Sequence, residues 1–250
     1  MNEIGVGLQL YTLRNECEKN FFATLERVAG IGYEGVELAG LYNYKPEEVK
    51  EKLDTLDLAV IGHHIPIERI ENDLDNVIKE QVALGNSRIV CPWLPPERRT
   101  SEDFKEVANT MKKAAAVCAE HNLELCYHHH DFELGRNLDG SELYYILKAD
   151  ESIKAEFDIY WLNMVGHDPV EWMKKFAGRT PIVHLKDRSD DEREETVILG
   201  TGNIPIDEVL EQGKESGVKW WVVEQDKCDF DPIESVTQSY QYLRKLQLQK

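Results

Sequence analysis

Eight short apolar runs recur along the chain, each followed by a longer amphipathic stretch. This alternation limits the fold more than any other feature of the sequence. The runs are GVGLQLYT, EGVELAG, LAVIGHH, SRIVCPW, LELCYHH, KAEFDIYW, PIVHLKD and WWVVEQD. They are rich in Val, Ile, Leu and aromatic residues and have the length of buried strands. Between them, apolar residues step by three and four. Phe22, Leu25, Val28 and Ala29 share a helical face before Gly30 and Gly32 stop the segment. The stretch beginning at Ser101 opens with Ser101 as cap and an acidic first turn. Asp168 with Pro169, and Pro205 with Asp207, open two more helices.

Strand and helix thus alternate eight times in 250 residues, about one unit per 31 residues, enough for a βα unit and its connections. Parallel strands joined by helices need both faces covered, and their crossovers are right-handed. Eight such units close most economically into an α/β, single-domain (β/α)8 TIM barrel over residues 1–250. The competing arrangement is an open doubly wound sheet. No G-x-G-x-x-G follows the first run, and no change of composition marks a second domain.

The net charge of −18 argues against non-specific nucleic-acid binding, which depends on Lys and Arg neutralising phosphates. The five cysteines are odd in number and contain no C-x-x-C pair. They read as thiols of a reducing compartment. The N-terminus has no basic region ahead of a long apolar stretch, and no run approaches the roughly 18 apolar residues of a membrane span. We therefore expect a cytoplasmic protein with no nucleic-acid or membrane partner; a homo-oligomer stays open.

In such a barrel the active site lies at the C-terminal ends of the strands. The residues there are Tyr11, Thr12 and Arg14; Glu37; His63 and His64; Cys91 and Trp93; His128, His129, His130, Asp131 and Glu133; Asp158 and Trp161; His184, Lys186 and Asp187; Glu224 and Asp226. Six of the eight histidines fall in this set; His121 and His167 do not. Asp158, His184 and Glu224 sit in or at the end of strongly apolar strands. A buried carboxylate there is costly unless paired or coordinated. The three form a mixed nitrogen and oxygen set suited to one divalent ion: Mn²⁺, Co²⁺, Mg²⁺ or Zn²⁺. Plainer roles compete. Asp158 can cap the next helix or pair with Lys186, His184 can bond a backbone carbonyl, and Glu224 can pair with Lys or Arg. Glu37 can accept a substrate hydroxyl or serve in an ion pair.

Strand alternation sorts the histidines. His63 and His64 cannot both face inward, and we take His64 as the inner one. His128 and His130 share a face, and His129 points away. The inner pair and Glu133 then lie beside the Asp–His–Glu set, to supply a fourth ligand and a general acid/base or a donor to a sugar oxygen.

Taken in order, GLQLYTLR, GYEGVEL, YHHHDFEL, FDIYW, GHDP, IVHLKD, GTGNIPID and VVEQD resemble the sugar phosphate isomerase/epimerase group of xylose isomerase-like TIM barrels over nearly the whole chain. The resemblance implies a metal held by a Glu on the fifth strand, an Asp on the sixth, a His on the seventh and a Glu on the eighth. Asp158, His184 and Glu224 match. The fifth-strand position carries His128, with Glu133 farther along, so either Glu133 reaches the metal or His128 replaces the carboxylate. We favour Glu133. The implied chemistry is removal of a proton α to the carbonyl of a sugar, keto-sugar or polyol through an enediolate, leading to isomerisation or epimerisation. Glu224 and either Glu133 or His128 would be the acid/base pair. Lys186, His64 and Glu37 would hold hydroxyls or a phosphate, with His130 as a further substrate contact. Trp161 stands where ketose epimerases often place a substrate-binding His and suits stacking on a sugar face. A dehydratase or lyase would share the enolate step. A non-catalytic sugar-binding barrel would not need these costly buried groups. The related AP endonuclease branch needs a multi-metal His and Asp cluster, which residues 189–195 and Trp161 do not provide. The acidic loop at 187–195 favours an unphosphorylated substrate, although Arg188, Arg193 and Lys227 lie nearby.

Overall fold

The computed structural model describes residues 4–228 and 231–248, and the eight apolar runs are the strands of one closed parallel barrel. The strands are β1 (Gly5–Gln9), β2 (Gly35–Leu38), β3 (Ala59–His64), β4 (Arg88–Cys91), β5 (Glu124–His128), β6 (Lys154–Asp158), β7 (Ile182–Leu185) and β8 (Trp220–Val223). Each pairs with its neighbours in sequence. The ring closes between β1 and β8, with Gly5 opposite Trp220 and Leu8 opposite Val223. Of the domain expected over 1–250, residues 1–3, 229–230 and 249–250 lie outside the described residues.

The helices surround this ring. They are α1 (Arg14–Ile31), α2 (Pro46–Thr55), α3 (Ile67–Asn72), α4 (Leu74–Leu84), α5 (Ser101–Glu120), α6 (Glu142–Lys148), α7 (Ile159–Met164), α8 (Pro169–Lys175), α9 (Ile206–Ser216) and α10 (Pro232–Leu248). The expected cap of α5 moves by one residue. Thr100, not Ser101, is the N-cap, and Thr100 and Asp103 close a reciprocal capping box. Asp168 caps α8 with Pro169 in its first turn, as expected. None of the described helices is long and apolar enough to cross a membrane, and Cys17, Cys91, Cys118 and Cys126 are buried thiols outside any disulfide.

Alternation gives each strand two faces. Val6, Leu8, Val36, Leu38, Phe157, Val183, Leu185 and Val223 point outward and join the buried helix faces in one core. Burying each such side chain contributes about 1.5–3 kcal/mol. A separate small cluster fills the barrel floor: Ile61, Ile182 and Val222, with Trp220 packed against them. The register between β2 and β3 skips one residue, Val36 facing Val60 and Glu37 facing Gly62. A Cβ at Gly62 would lie 2.9 Å from Glu37 Oε1, so this glycine makes room for a carboxylate inside the barrel.

The Gly-rich segment after β7 has a clear local cause. Residues 187–188 and 196–197 form a small antiparallel ladder. Beyond it, the backbone N–H groups of Gly200, Gly202 and Ile204 all donate to the Asp187 carboxylate, as does Arg188 N–H. A Cβ at Gly202 would come within 2.4 Å of Asp187 Oδ1. Asp187 is therefore a loop anchor, although it follows directly on the site lysine.

Candidate metal centre and substrate cleft

Four side chains from four consecutive strands converge at the C-terminal mouth. His128 ends β5, Asp158 ends β6, His184 lies in β7, and Glu224 follows β8. Each offers one ligand atom, and these atoms lie within 4.8 Å of one another. All four side chains are buried. His128, not Glu133, completes this set. Glu133 is held elsewhere: Tyr127 Oη donates to its Oε1 at 2.9 Å, and the backbone N–H of His130 donates to its Oε2 at 2.9 Å. Both oxygens are engaged outside the ring of strands. Glu133 lies beyond the end of β5, where strand alternation no longer fixes direction.

His184 sits at the centre. Its Nε2 faces Glu37 Oε2 at 2.6 Å and Glu156 Oε1 at 3.0 Å. Its Nδ1 faces Glu224 Oε2 at 2.8 Å and Asp158 Oδ2 at 4.0 Å. Burial lowers His184, but Glu156, Glu37 and Glu224 overcome it and hold the imidazole charged when no metal is bound. An ion taken by Nδ1 would displace the proton that faces Glu224, while the carboxylates behind the ring keep the one on Nε2. A carboxylate behind the imidazole is the usual way a metal-binding His is oriented. Burial, reinforced by the nearby His184 and His130, pushes His128 well below its ordinary pKa and keeps it neutral, as a ligand must be. Two imidazoles and two carboxylates from rigid strand ends fit Zn²⁺, Mn²⁺ or Co²⁺.

Beneath this set lies a tier that the sequence did not reveal in full. His64 Nε2 is 3.0 Å from Glu156 Oε1 and 3.3 Å from Glu37 Oε1, and His128 Nδ1 is 3.2 Å from Glu156 Oε1. Glu156 was missed, yet it stands two residues before Asp158 and so shares its face. Burial pushes the Glu37 carboxyl up, but His64 and His184 overcome this and hold it well below the usual range. For His64, burial works downward and Glu37 and Glu156 work upward; the carboxylates prevail and raise it to about 9.

Lys186 is wholly buried. Its Nζ lies 2.9 Å from Asp158 Oδ2, 2.8 Å from Glu224 Oε2 and 3.0 Å from Asp226 Oδ2. Glu37 and Lys186 were expected to hold substrate hydroxyls or a phosphate; both are instead committed to buried ion pairs. Burial raises Asp158 to about 6 against the opposing pull of Lys186. The plainer roles considered for Asp158 and Glu224 are both present. Asp158 Oδ1 caps α7, accepting from Tyr160 N–H at 2.9 Å and Trp161 N–H at 3.3 Å, which leaves Oδ2 facing the site.

The three adjacent histidines divide as alternation requires. His128 enters the barrel. His129 turns outward, where its Nε2 accepts from Asp158 N–H at 3.1 Å and its Nδ1 donates to His130 O at 3.2 Å. It ties the end of β5 to β6. His130 reaches the mouth, packed 5.3 Å from the Trp161 ring. Its Nδ1 and the Trp161 Nε1 are buried without a hydrogen-bond partner among the described residues. His63, outside the barrel, bonds Gln81 Oε1 at 3.2 Å.

Above the centre opens a cleft of about 690 Å³, lined by Tyr11, Arg14, Trp93, His64, His128, His130, Glu224 and Asp226 among others. Tyr11 and Trp93 are exposed on its walls. Arg188 and Lys227 are drawn to carboxylates, 3.4 Å from Glu194 and 3.3 Å from Glu195.

The chain is similar to several known proteins over nearly its whole length. The family model for xylose isomerase-like TIM barrels matches residues 25–246. The inosose dehydratase of Clostridium perfringens is 26% identical, covering 91% of this chain and 90% of that protein. A sugar phosphate isomerase/epimerase from Parabacteroides distasonis superimposes with a TM-score of 0.79 at 25% identity, covering 97% of this chain and 94% of that one. The IolI protein, solved with a zinc atom, superimposes with a TM-score of 0.78 at 15% identity, covering 97% and 98% of the two chains. The chain belongs to the xylose isomerase-like TIM barrel family, whose members include sugar isomerases and epimerases.

Proposed function

We propose that the protein is a divalent-metal-dependent isomerase or epimerase of an unphosphorylated sugar, keto-sugar or keto-polyol, acting by removal of the proton next to the carbonyl. The observation that carries this reading is the meeting of His128, Asp158, His184 and Glu224, of which His128 and Glu224 line the cleft. A divalent ion held there would polarise the carbonyl and stabilise the charge that grows on its oxygen. The zinc atom in IolI supports such an ion here.

The side chains supply the proton chemistry. Burial pushes Glu224 up, but Lys186 and His184 overcome it and hold the carboxyl below its ordinary range. Glu224 is therefore ionised, lines the cleft and is the candidate base. Across the cleft stand the imidazoles of His128 and His130, both driven toward the neutral form chiefly by burial. A neutral imidazole can accept a proton from the opposite face or donate its N–H to a substrate oxygen. The free Nδ1 of His130 and Nε1–H of Trp161 suit hydroxyl groups, because a buried polar atom gains most from a partner. The pairing of Arg188 and Lys227 with glutamates favours a substrate without a phosphate.

A second reading is dehydration from the same enolate. Two observations favour it: the inosose dehydratase relative, and the placement of Glu133 outside the cluster, which removes the second glutamate that a two-base proton exchange would use. Incubation in D₂O with ketopentoses, ketohexoses, ketocyclitols and 3-keto glycosides, followed by mass spectrometry, separates the two. Deuterium uptake without loss of water supports the isomerase or epimerase, and loss of water supports the dehydratase. Absence of both reactions, or full activity in EDTA, contradicts the proposed chemistry.

A further inference from the structure

Two oxygens at the mouth are claimed twice. Asp158 Oδ2 and Glu224 Oε2 are the atoms that face His184 Nδ1, at 4.0 and 2.8 Å. They are also the atoms that Lys186 Nζ touches, at 2.9 and 2.8 Å. An ammonium and a divalent ion repel strongly at such range in a buried site, so both cannot sit between the same two oxygens. The lysine has a third partner, Asp226 Oδ2 at 3.0 Å. Asp226 stands outside the four-residue cluster, and its side chain is 31% exposed, whereas that of Glu224 is 5% exposed. Arg14 Nη2 donates to the backbone carbonyl of Asp226 at 3.1 Å and fixes this outer position. The Trp161 ring flanks the ammonium at 5.6 Å, which leaves a cation-tolerant wall beside it.

We propose that Lys186 is a resident counter-cation of the metal centre: its ammonium holds Asp158 and Glu224 together without metal and withdraws to Asp226 when a divalent ion takes their oxygens. The inference rests on the metal reading above and adds a competitor inside the site. Like charges close together weaken metal binding, and losing one of the two cationic side chains that face these buried carboxylates weakens the metal-free fold. Lys186 thus exchanges metal affinity for stability of the empty centre. It is a positioning residue in this role, acting through Asp158 and Glu224.

The test uses chelator-stripped protein, Mn²⁺ alone as titrant, and calorimetry beside thermal unfolding. Lys186→Met keeps the length and removes the charge. It should bind Mn²⁺ at least about tenfold more tightly than the wild type, have a lower metal-free Tm and gain more Tm from Mn²⁺. Lys186→Arg keeps the charge and should stay weak. Asp226→Asn removes the outer resting place and should bind at least about tenfold more weakly. This variant keeps the inquiry open if Lys186→Met fails to fold. A folded Lys186→Met that binds no more tightly than wild type, or an Asp226→Asn of unchanged affinity, overturns the role of Lys186. Failure of wild type and all variants to bind Mn²⁺, Co²⁺ or Zn²⁺ overturns the metal reading itself.

Discussion

At the floor of the barrel, Ile61, Ile182 and Val222 fill the interior, with Trp220 against them. Farther along the same strands the interior holds Glu37, His64, His128, Glu156, Asp158, His184 and Glu224, all buried or nearly so. Ile182 and His184 are two residues apart on β7 and point the same way, yet one meets hydrocarbon and the other meets carboxylates. Alternation decides which residues enter the barrel; height along the strand decides their company. The floor gains free energy from packing and loss of water contact. The mouth loses solvation and recovers it only through paired charges or a bound ion. Changes at the floor should therefore move stability and spare the chemistry, and changes at the mouth should move metal binding and turnover first.

The sharpest separation should come from Glu224→Gln. Removing the base should lower turnover by about 10²–10⁴-fold, while circular dichroism shows an intact fold. A variant that keeps wild-type turnover would remove Glu224 from the chemistry. At the floor, Ile182→Ala should cost about 2–5 kcal/mol in urea unfolding with unchanged metal affinity. A large loss of metal binding there would show that the two tiers are one mechanical unit. Gly62→Ala probes the boundary. Its new methyl would press on Glu37, so it should cost about 1–3 kcal/mol and also reduce turnover through His184, which Glu37 holds.

Glu133 sets a boundary on the site, because it should affect stability and leave metal binding unchanged. Burial raises this carboxyl from 4.5 to about 8, against the lowering contacts from His130 and Tyr127. The folded state keeps a proton that the unfolded chain releases. The associated stability is fully present below pH 4.5 and is lost as pH rises through about 8. Wild-type protein should lose Tm across this window, and Glu133→Gln should lose less while retaining bound metal. A variant that loses its metal would return Glu133 to the coordination shell.

Much of this was legible in the sequence because it depends on local periodicity. The eight apolar runs placed the strands, and alternation placed His128 inside and His129 outside and let only one of His63 and His64 face inward. The same rule applied to KAEFD would have found Glu156 beside Asp158. Glu133 stands apart from the cluster for a physical reason: it follows the strand end, where the chain turns and parity carries no information. The pairing of Lys186 with Asp158 was legible as an alternative, but the full set of its three partners was not. Asp158, Glu224 and Asp226 arrive from β6 and from the segment after β8, and only the closed ring brings them to one ammonium.

The most direct test of the central claim is a crystal structure of the Mn²⁺-loaded protein with anomalous scattering recorded at the manganese edge. The account predicts one peak bonded to His128, Asp158, His184 and Glu224, with Glu133 still held by Tyr127 and His130. A peak elsewhere, none at all, or a shell completed by Glu133 would contradict it.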